Sequence, residues 1–323
     1  MSNPILEIAD LHVWYKTFDG YSKVINGLNL SVHKGEKVAL VGEAGCGKTT
    51  SMKSVLRILP AGQAYIPQGE IKFHGQDILK MKEKDLEGVR TQGISMIFQE
   101  PSAALNPVFT IGSQISDVIK YSGEGRGLKK EQVKKKAVEA IKEVYIPDPA
   151  RILECYPNQL SGGMKQRICI AMSIVASRDL LIADEPGTSL DVTIQDQVHR
   201  LLRRLVEEKG MSLIMITHSL GVARELADRI CVMYAGSIVE IANITDLFSN
   251  PLHPYTLGLL ESVPRLTGGG LSEGIYGSIP NYLHPPAGCR FHPRCPRAVD
   301  KCKEEKPQIT DLGNSHQVAC FCI

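Results

Sequence analysis

The run Gly42-Glu43-Ala44-Gly45-Cys46-Gly47-Lys48-Thr49-Thr50 places four residues between Gly42 and Gly47 and follows them with a lysine and a hydroxyl. That pattern holds a polyphosphate. The glycines let backbone N–H groups close around a β-phosphate, Lys48 neutralises β/γ charge, and the Thr49 hydroxyl can ligate Mg²⁺. Further along, the apolar stretch Leu180-Leu181-Ile182-Ala183 runs directly into Asp184 and Glu185. Beside bound ATP, Asp184 would assist the Mg²⁺ through its shell, and Glu185 would be the general base for an attacking water. Gln99, in Ile97-Phe98-Gln99-Glu100-Pro101, offers an amide oxygen to Mg²⁺ or to that water. Ser161-Gly162-Gly163 reads as the start of a helix: Ser161 is a favourable N-cap, and the glycines let backbone amides approach an anion at the positive end of the dipole. This is a second phosphate site.

Such groups need a scaffold of alternating strands and helices. Loose alternation over residues 5–15 and a second run at 24–32, separated by the turn-like Asp19-Gly20, predict an antiparallel entry sheet. Lys37 to Val41 predicts a strand feeding the phosphate loop, with a helix continuing through Leu59 and ended by Pro60. From 98 to 159 the pattern is mostly helical, broken at Pro101, Pro107, Gly123/Gly125/Gly127 and Pro147/Pro149. A helix over 161–177, a strand over 180–183, a helix over 194–208, a strand over 212–217 and a helix over 220–227 follow. The fold class expected is α/β, a mainly parallel sheet with helices on both faces. Its domains are a core over 1–98 and 161–243, a helical subdomain over 99–160, and a proline-rich, loop-rich extension over 244–323.

Composition narrows the function classes. With 43% hydrophobic and 22% charged residues in 323, the chain can bury a proper core. A net charge of +2, from 37 Lys+Arg against 35 Asp+Glu, gives no electrostatic case for a nucleic-acid partner. The lysines at 129, 130, 134, 135 and 136 alternate with Glu131, Glu139 and Glu143, while Val133, Ala137 and Ile141 recur at helical spacing, so this is a solvated helix face. No apolar run is long enough to span a bilayer and the opening residues are not a signal peptide. If the chain serves a membrane, it is expected to do so from the cytosol through a partner.

Leu160-Ser161-Gly162-Gly163-Met164-Lys165-Gln166-Arg167 lies between the phosphate loop and Asp184-Glu185, and the three motifs in this order resemble the ATP-binding cassette ATPases. The resemblance implies that His218, after Leu213-Ile214-Met215-Ile216-Thr217, contacts the γ-phosphate and orients the water; Ser219 stands where members often carry Asp. It implies that Gln99 is the family's loop glutamine and that Tyr15 stacks on adenine, with Trp14 the competing ring and core packing the alternative for either. Ser161, Gly162 and Gly163 would serve ATP on the other subunit of a head-to-tail dimer, and Asp191, in Ser189-Leu190-Asp191, would cross that interface. Cys46 stands where serine is common and reads as a small loop residue.

Four further stretches resemble the peptide-permease ATPase subunits of bacterial and archaeal importers: Gln99-Glu100-Pro101 through Leu105-Asn106-Pro107, Val232-Met233-Tyr234-Ala235-Gly236, His253-Pro254-Tyr255-Thr256, and Gly288-Cys289 through Pro293-Arg294-Cys295-Pro296. That resemblance implies an ATPase powering import of di- or oligopeptides at the cytoplasmic face of the membrane. Its partners would be a second, homologous ATPase subunit, two membrane permease subunits and an extracytoplasmic substrate-binding protein. Nickel or oligosaccharides are alternative cargoes within the subfamily. A cassette ATPase of DNA repair or translation is the alternative from another class, although one cassette with a short insertion fits it poorly.

The spacing Cys289-x5-Cys295-x6-Cys302-x17-Cys320 is neither a zinc ribbon nor a standard ferredoxin run. In the resembling subunits this segment looks like a [4Fe-4S] site, with Cys289, Cys295, Cys302 and Cys320 as ligands and Cys322 as the alternative fourth. Zinc and free thiols stay open as readings. A cluster lying beyond the catalytic motifs in sequence is expected to have a structural or docking role and no part in hydrolysis.

Overall fold

The structure, a computed structural model, describes residues 3–263 and 274–323. The chain divides into two compact units: Met1–His33, Lys37–Leu79 and Ile216–Ile323 form the first, and Lys34–Glu36 with Lys80–Met215 form the second.

The first unit opens with β1 (Leu6–Thr17) and β2 (Gly20–Val32), paired antiparallel. Leu6, Ile8, Leu11 and Val13 are buried, but the alternation slips one residue between Ile8 and Leu11, where Asp10 takes φ +45° and the register shifts. β3 (Lys37–Val41) buries Val38 through Val41 and delivers the chain to the phosphate loop, after which α1 spans Lys48–Val55. That helix is shorter than the sequence predicts, because Arg57 adopts φ +49°, which a continuing right-handed helix cannot contain. β4 (Ala64–Phe73) pairs with the free side of β1, and β5 (Gln76–Asp77) pairs with β4.

The second unit holds α2 (Glu83–Gly88), β6 (Ile94–Ile97), then α3 (Pro101–Ala104), α4 (Ile111–Tyr121), α5 (Lys130–Glu143) and α6 (Pro149–Glu154). α5 buries Val133, Ala137, Ala140 and Ile141 and leaves its lysines on the other face, as the charge pattern predicts. α7 (Gly162–Ile174), β7 (Leu180–Asp184), α8 (Val192–Lys209) and β8 (Ser212–Thr217) complete the unit, with strand order β8-β7-β6 and β6 parallel to β7.

The chain then returns to the first unit with α9 (Leu220–Leu226), β9 (Arg229–Tyr234), β10 (Ser237–Asn243), α10 (Ile244–Ser249), α11 (Pro254–Glu261), α12 (Asp300–Glu304), β11 (Thr310–Asp311) and β12 (Gln317–Val318). Strand order here is β11-β12-β10-β9-β3; β3 runs parallel to β9, and the remaining pairs are antiparallel. The segment from 244 onward reads in sequence as an appendage, yet it contributes Leu247, Tyr255 and Phe291 to a core shared with Val41, Val232 and Tyr234. Tyr234 meets Tyr255 at 4.7 Å and Phe291 at 5.0 Å between ring centroids, edge to face. Burying these rings ties the extension to the strand that precedes the phosphate loop.

Candidate nucleotide site

In the first unit, sterics shape the phosphate loop. A Cβ on Gly42 would lie 2.2 Å from the Met233 carbonyl oxygen and 2.9 Å from Cys46 Sγ, and one on Gly47, at φ +107°, would lie 2.6 Å from Ile25 Cδ1. Only glycine fits either place. The Cys46 carbonyl accepts the Gly236 N–H at 2.8 Å; because a trans peptide points its carbonyl and amide in opposite senses, this turns the Gly47 N–H the other way. Lys48 is 5% exposed and its Nζ donates to the carbonyls of Gly42 at 2.7 Å and Glu43 at 3.0 Å. Thr49 and Thr50 occupy the first turn of α1, where backbone N–H groups and the dipole favour an anion. Cys46 is fully buried and burial raises its thiol, against the pull of Lys48, which suits a packed loop residue and not a reactive thiolate.

Trp14 and Tyr15 are consecutive in β1, paired in regular register with Lys23 and Ser22, so the strand's pleat sends the two neighbouring rings to opposite faces. Trp14 packs at 6.1 Å from Tyr21 and 6.4 Å from Tyr65, with Lys23 Nζ 5.3 Å over its ring. The Tyr15 hydroxyl instead comes within 3.4 Å of Thr50 Oγ1, beside the phosphate loop. His218 follows β8 directly. Ser219, which replaces the expected Asp, caps α9: its Oγ accepts the Val222 N–H at 3.4 Å, and its own N–H donates to Thr217 Oγ1 at 3.0 Å.

In the second unit, β7 is buried along its whole length and carries Asp184, 2% exposed, at its end. Glu185 then turns the chain at φ +45°. The Thr188 hydroxyl holds that turn, donating to the Glu185 carbonyl at 3.1 Å and reaching its Oε2 at 3.4 Å. Gln99 Nε2 donates to the same Oε2 at 3.5 Å, which brings the loop glutamine to the carboxylate through its amide nitrogen. Buried His199 contacts the Pro186 carbonyl at 3.1 Å through Nε2 and braces the turn from behind, a role with no signal in sequence because the residue lies mid-helix on α8.

Ser161 caps α7, its side chain accepting the Met164 N–H at 3.3 Å. A Cβ on Gly162 would stand 3.2 Å from Leu190 Cδ2 and one on Gly163 3.1 Å from Ile194 Cγ2, so the two glycines let the helix start lie against Leu190 and the first turn of α8. Asp191 caps α8 by accepting the Ile194 N–H at 3.0 Å.

The family profile described as ABC transporter matches residues 25–188, and the dipeptide transport ATP-binding protein DppD of Bacillus subtilis is 42% identical over 98% of this chain and 94% of its own length. The chain belongs to the ABC transporter family of ATP-binding proteins. The oligopeptide transport ATP-binding protein AppD of Bacillus subtilis is also 42% identical, over 98% of this chain and 96% of its own. The probable D,D-dipeptide transport ATP-binding protein DdpD of Escherichia coli is 39% identical over 100% and 97%. Among solved structures, an ATP-binding cassette captured as a dimer in a post-hydrolysis state with ADP and Pi aligns with TM-score 0.66 and 25% identity over 74% of this chain and 98% of that one.

A second profile, described as the C-terminal region of oligopeptide/dipeptide transporters, matches residues 239–302 of this ABC protein. It contains Cys289, Cys295 and Cys302 and stops before Cys320 and Cys322. The chain folds so that these thiols lie near one another: the Cys289 N–H donates to the Cys302 carbonyl at 2.8 Å, the Cys322 N–H donates to Cys320 Sγ at 3.3 Å, and the thiols of Cys289, Cys295, Cys320 and Cys322 each respond to the charge of neighbouring cysteines. Burial pushes Cys289 up to about 11. Among the described residues no three His, Cys, Asp or Glu side chains are arranged to hold a single metal ion. The donors this segment offers are thiols, a set whose chemistry suits iron–sulfur or zinc ligation.

Arg294, next to Cys295, is not legible as a site residue in sequence. In the folded chain its guanidinium grips Glu43 of the phosphate loop.

Proposed function

We propose that this chain is the ATP-hydrolysing subunit of a membrane importer for di- and oligopeptides. The observation that carries the proposal is one chain holding both the cassette motifs and the oligopeptide/dipeptide C-terminal region, similar over nearly its whole length to peptide-transport ATP-binding proteins.

The roles follow from side-chain chemistry. Tyr15 stacks on adenine, while Lys48 and the backbone of Gly42–Thr50 bind the β- and γ-phosphates. Thr49, Gln99 and Asp184 are the groups that would hold Mg²⁺, which supplies charge neutralisation when bound. Glu185 takes a proton from water as its oxygen attacks the γ-phosphorus; the bond to the β–γ bridging oxygen breaks, and ADP and phosphate leave. His218 contacts the γ-phosphate. Ser161, Gly162 and Gly163 reach the γ-phosphate of ATP held by a second, homologous ATPase subunit, with Asp191 at that interface.

Two permease subunits and an extracytoplasmic substrate-binding protein complete the transporter, with this chain peripheral at the cytoplasmic face. Among the described residues no helix is long and apolar enough to cross a membrane, so passage of cargo falls to the permeases. Cys289, Cys295, Cys302 and Cys320, with Cys322 as the alternative fourth ligand, hold a [4Fe-4S] cluster that stabilises the extension.

The test is reconstitution of this chain in proteoliposomes with its two permease subunits, a homologous ATPase subunit and a substrate-binding protein. Uptake of labelled di- and oligopeptides should require ATP and vanish in Glu185→Gln. Nickel or oligosaccharide uptake without peptide uptake would overturn the cargo.

A further inference from the structure

The phosphate loop contains a carboxylate. Glu43 follows Gly42 directly, and an unpaired negative charge there would repel the triphosphate that the loop has to bind. Arg294 meets it as a fork: Nη1 donates to Glu43 Oε2 at 2.8 Å and Nη2 to Oε1 at 3.0 Å. The Arg294 side chain is 6% exposed and that of Glu43 28%, so solvent and salt screen the pair little. The guanidinium is itself fixed, with Nε donating to the Tyr276 carbonyl at 2.9 Å, Nη2 to the Ile275 carbonyl at 3.0 Å and Nη1 reaching the Tyr234 hydroxyl at 3.5 Å. Two tyrosines of the same extension hold the loop backbone. The Tyr255 hydroxyl accepts the Glu43 N–H at 2.9 Å, and the Tyr282 hydroxyl donates to the Gly45 carbonyl at 2.8 Å.

We propose that Arg294 is a positioning residue for nucleotide binding: by pairing with Glu43 it cancels the loop's own carboxylate and fixes its place, which makes the C-terminal extension a determinant of ATP affinity. The inference rests on reading the loop as the ATP site. It gives the cysteine-bearing segment a part in nucleotide binding through a residue other than its thiols, since Arg294 immediately precedes Cys295.

A charge-compensating role predicts rescue by removing the charge that needs compensation. In titrations of the purified full chain with MgATP, Arg294→Ala should weaken binding roughly tenfold, the scale of one charge-assisted pair. Adding Glu43→Gln to Arg294→Ala should restore affinity to within about threefold of wild type. In the assembled transporter the single Arg294 variant should raise KM for ATP and leave kcat within about threefold. Arg294→Gln, which keeps an amide donor toward the Ile275 and Tyr276 carbonyls, carries the same expectation should the alanine variant fail to fold. Unchanged affinity in the Arg294 variants, or a loss that Glu43→Gln does not relieve, overturns the proposal. Lys48→Ala, titrated in parallel, tests the underlying reading separately: retained MgATP binding there would refute the loop as the ATP site, whatever Arg294 does.

Discussion

Gln99 and Thr188 converge on one oxygen of Glu185: the amide nitrogen of the first lies 3.5 Å from Oε2 and the hydroxyl of the second 3.4 Å. The amide donates to Oε2, and the hydroxyl, which donates to the Glu185 carbonyl at 3.1 Å, lies beside it, so the side chain is fixed in place at the end of β7, where a general base has to point at its water. Glu185→Gln keeps the turn and a similar shape but cannot take up a proton. It should bind MgATP as wild type does and lose at least about 100-fold in turnover, measured by phosphate release alongside nucleotide titration. Turnover within threefold of wild type would remove Glu185 from this role.

Ser161 offers its side chain to the start of α7 while Gly162 and Gly163 keep that start bare of Cβ atoms. Ser161→Arg places a long side chain where a phosphate on the neighbouring subunit would sit. MgATP binding by the monomer should be nearly intact, and ATP-dependent dimerisation, followed by size-exclusion chromatography in the Glu185→Gln background, should be lost. An equal loss of monomer affinity would sink the trans role.

His253 caps α11 through Nδ1, which accepts the Tyr255 N–H at 3.0 Å, and lies 5.6 Å from the Phe291 ring. Burial pushes its imidazole down to about 3, so the folded chain keeps it neutral where the unfolded chain, near 6.5, protonates. The stability linked to this difference is complete above about pH 6.5 and declines as pH falls from there toward 3, by about 2 kcal/mol at pH 5. His253→Asn retains a capping acceptor and does not titrate. Thermal melts at pH 7 and pH 5 should show a smaller drop in the variant; identical drops would place the acid sensitivity elsewhere.

Anaerobically purified protein should be brown, with about four iron and four sulfide per chain if the cysteines hold a cubane cluster. Cys295→Ser should reduce iron content and lower the melting temperature. Colourless protein carrying one zinc would move the site to a single-ion centre.

The chemistry of this ABC protein is legible in sequence wherever it is local. Gly42 to Thr50, Asp184-Glu185 and the Ser161 cap each gather their candidate groups within a few residues, so local spacing alone is enough to mark them. The strand Ser212–Thr217 and the helix near 194–208 are likewise set by continuous apolar or periodic runs. Where the outcome depends on partners far along the chain, the sequence is silent. Helix α1 stops at Val55, four residues before Leu59, where Arg57 turns left-handed and its Nη1 donates to the Ile78 carbonyl at 3.3 Å. The extension joins the core because Tyr255 and Phe291 find Tyr234. Arg294 and Glu43 stand 251 residues apart, and each by itself reads as an ordinary charged side chain. Their pairing exists because burial of those rings carries the extension to the outside of the phosphate loop, and a contact made by packing leaves no periodic or spacing signal in the chain that makes it.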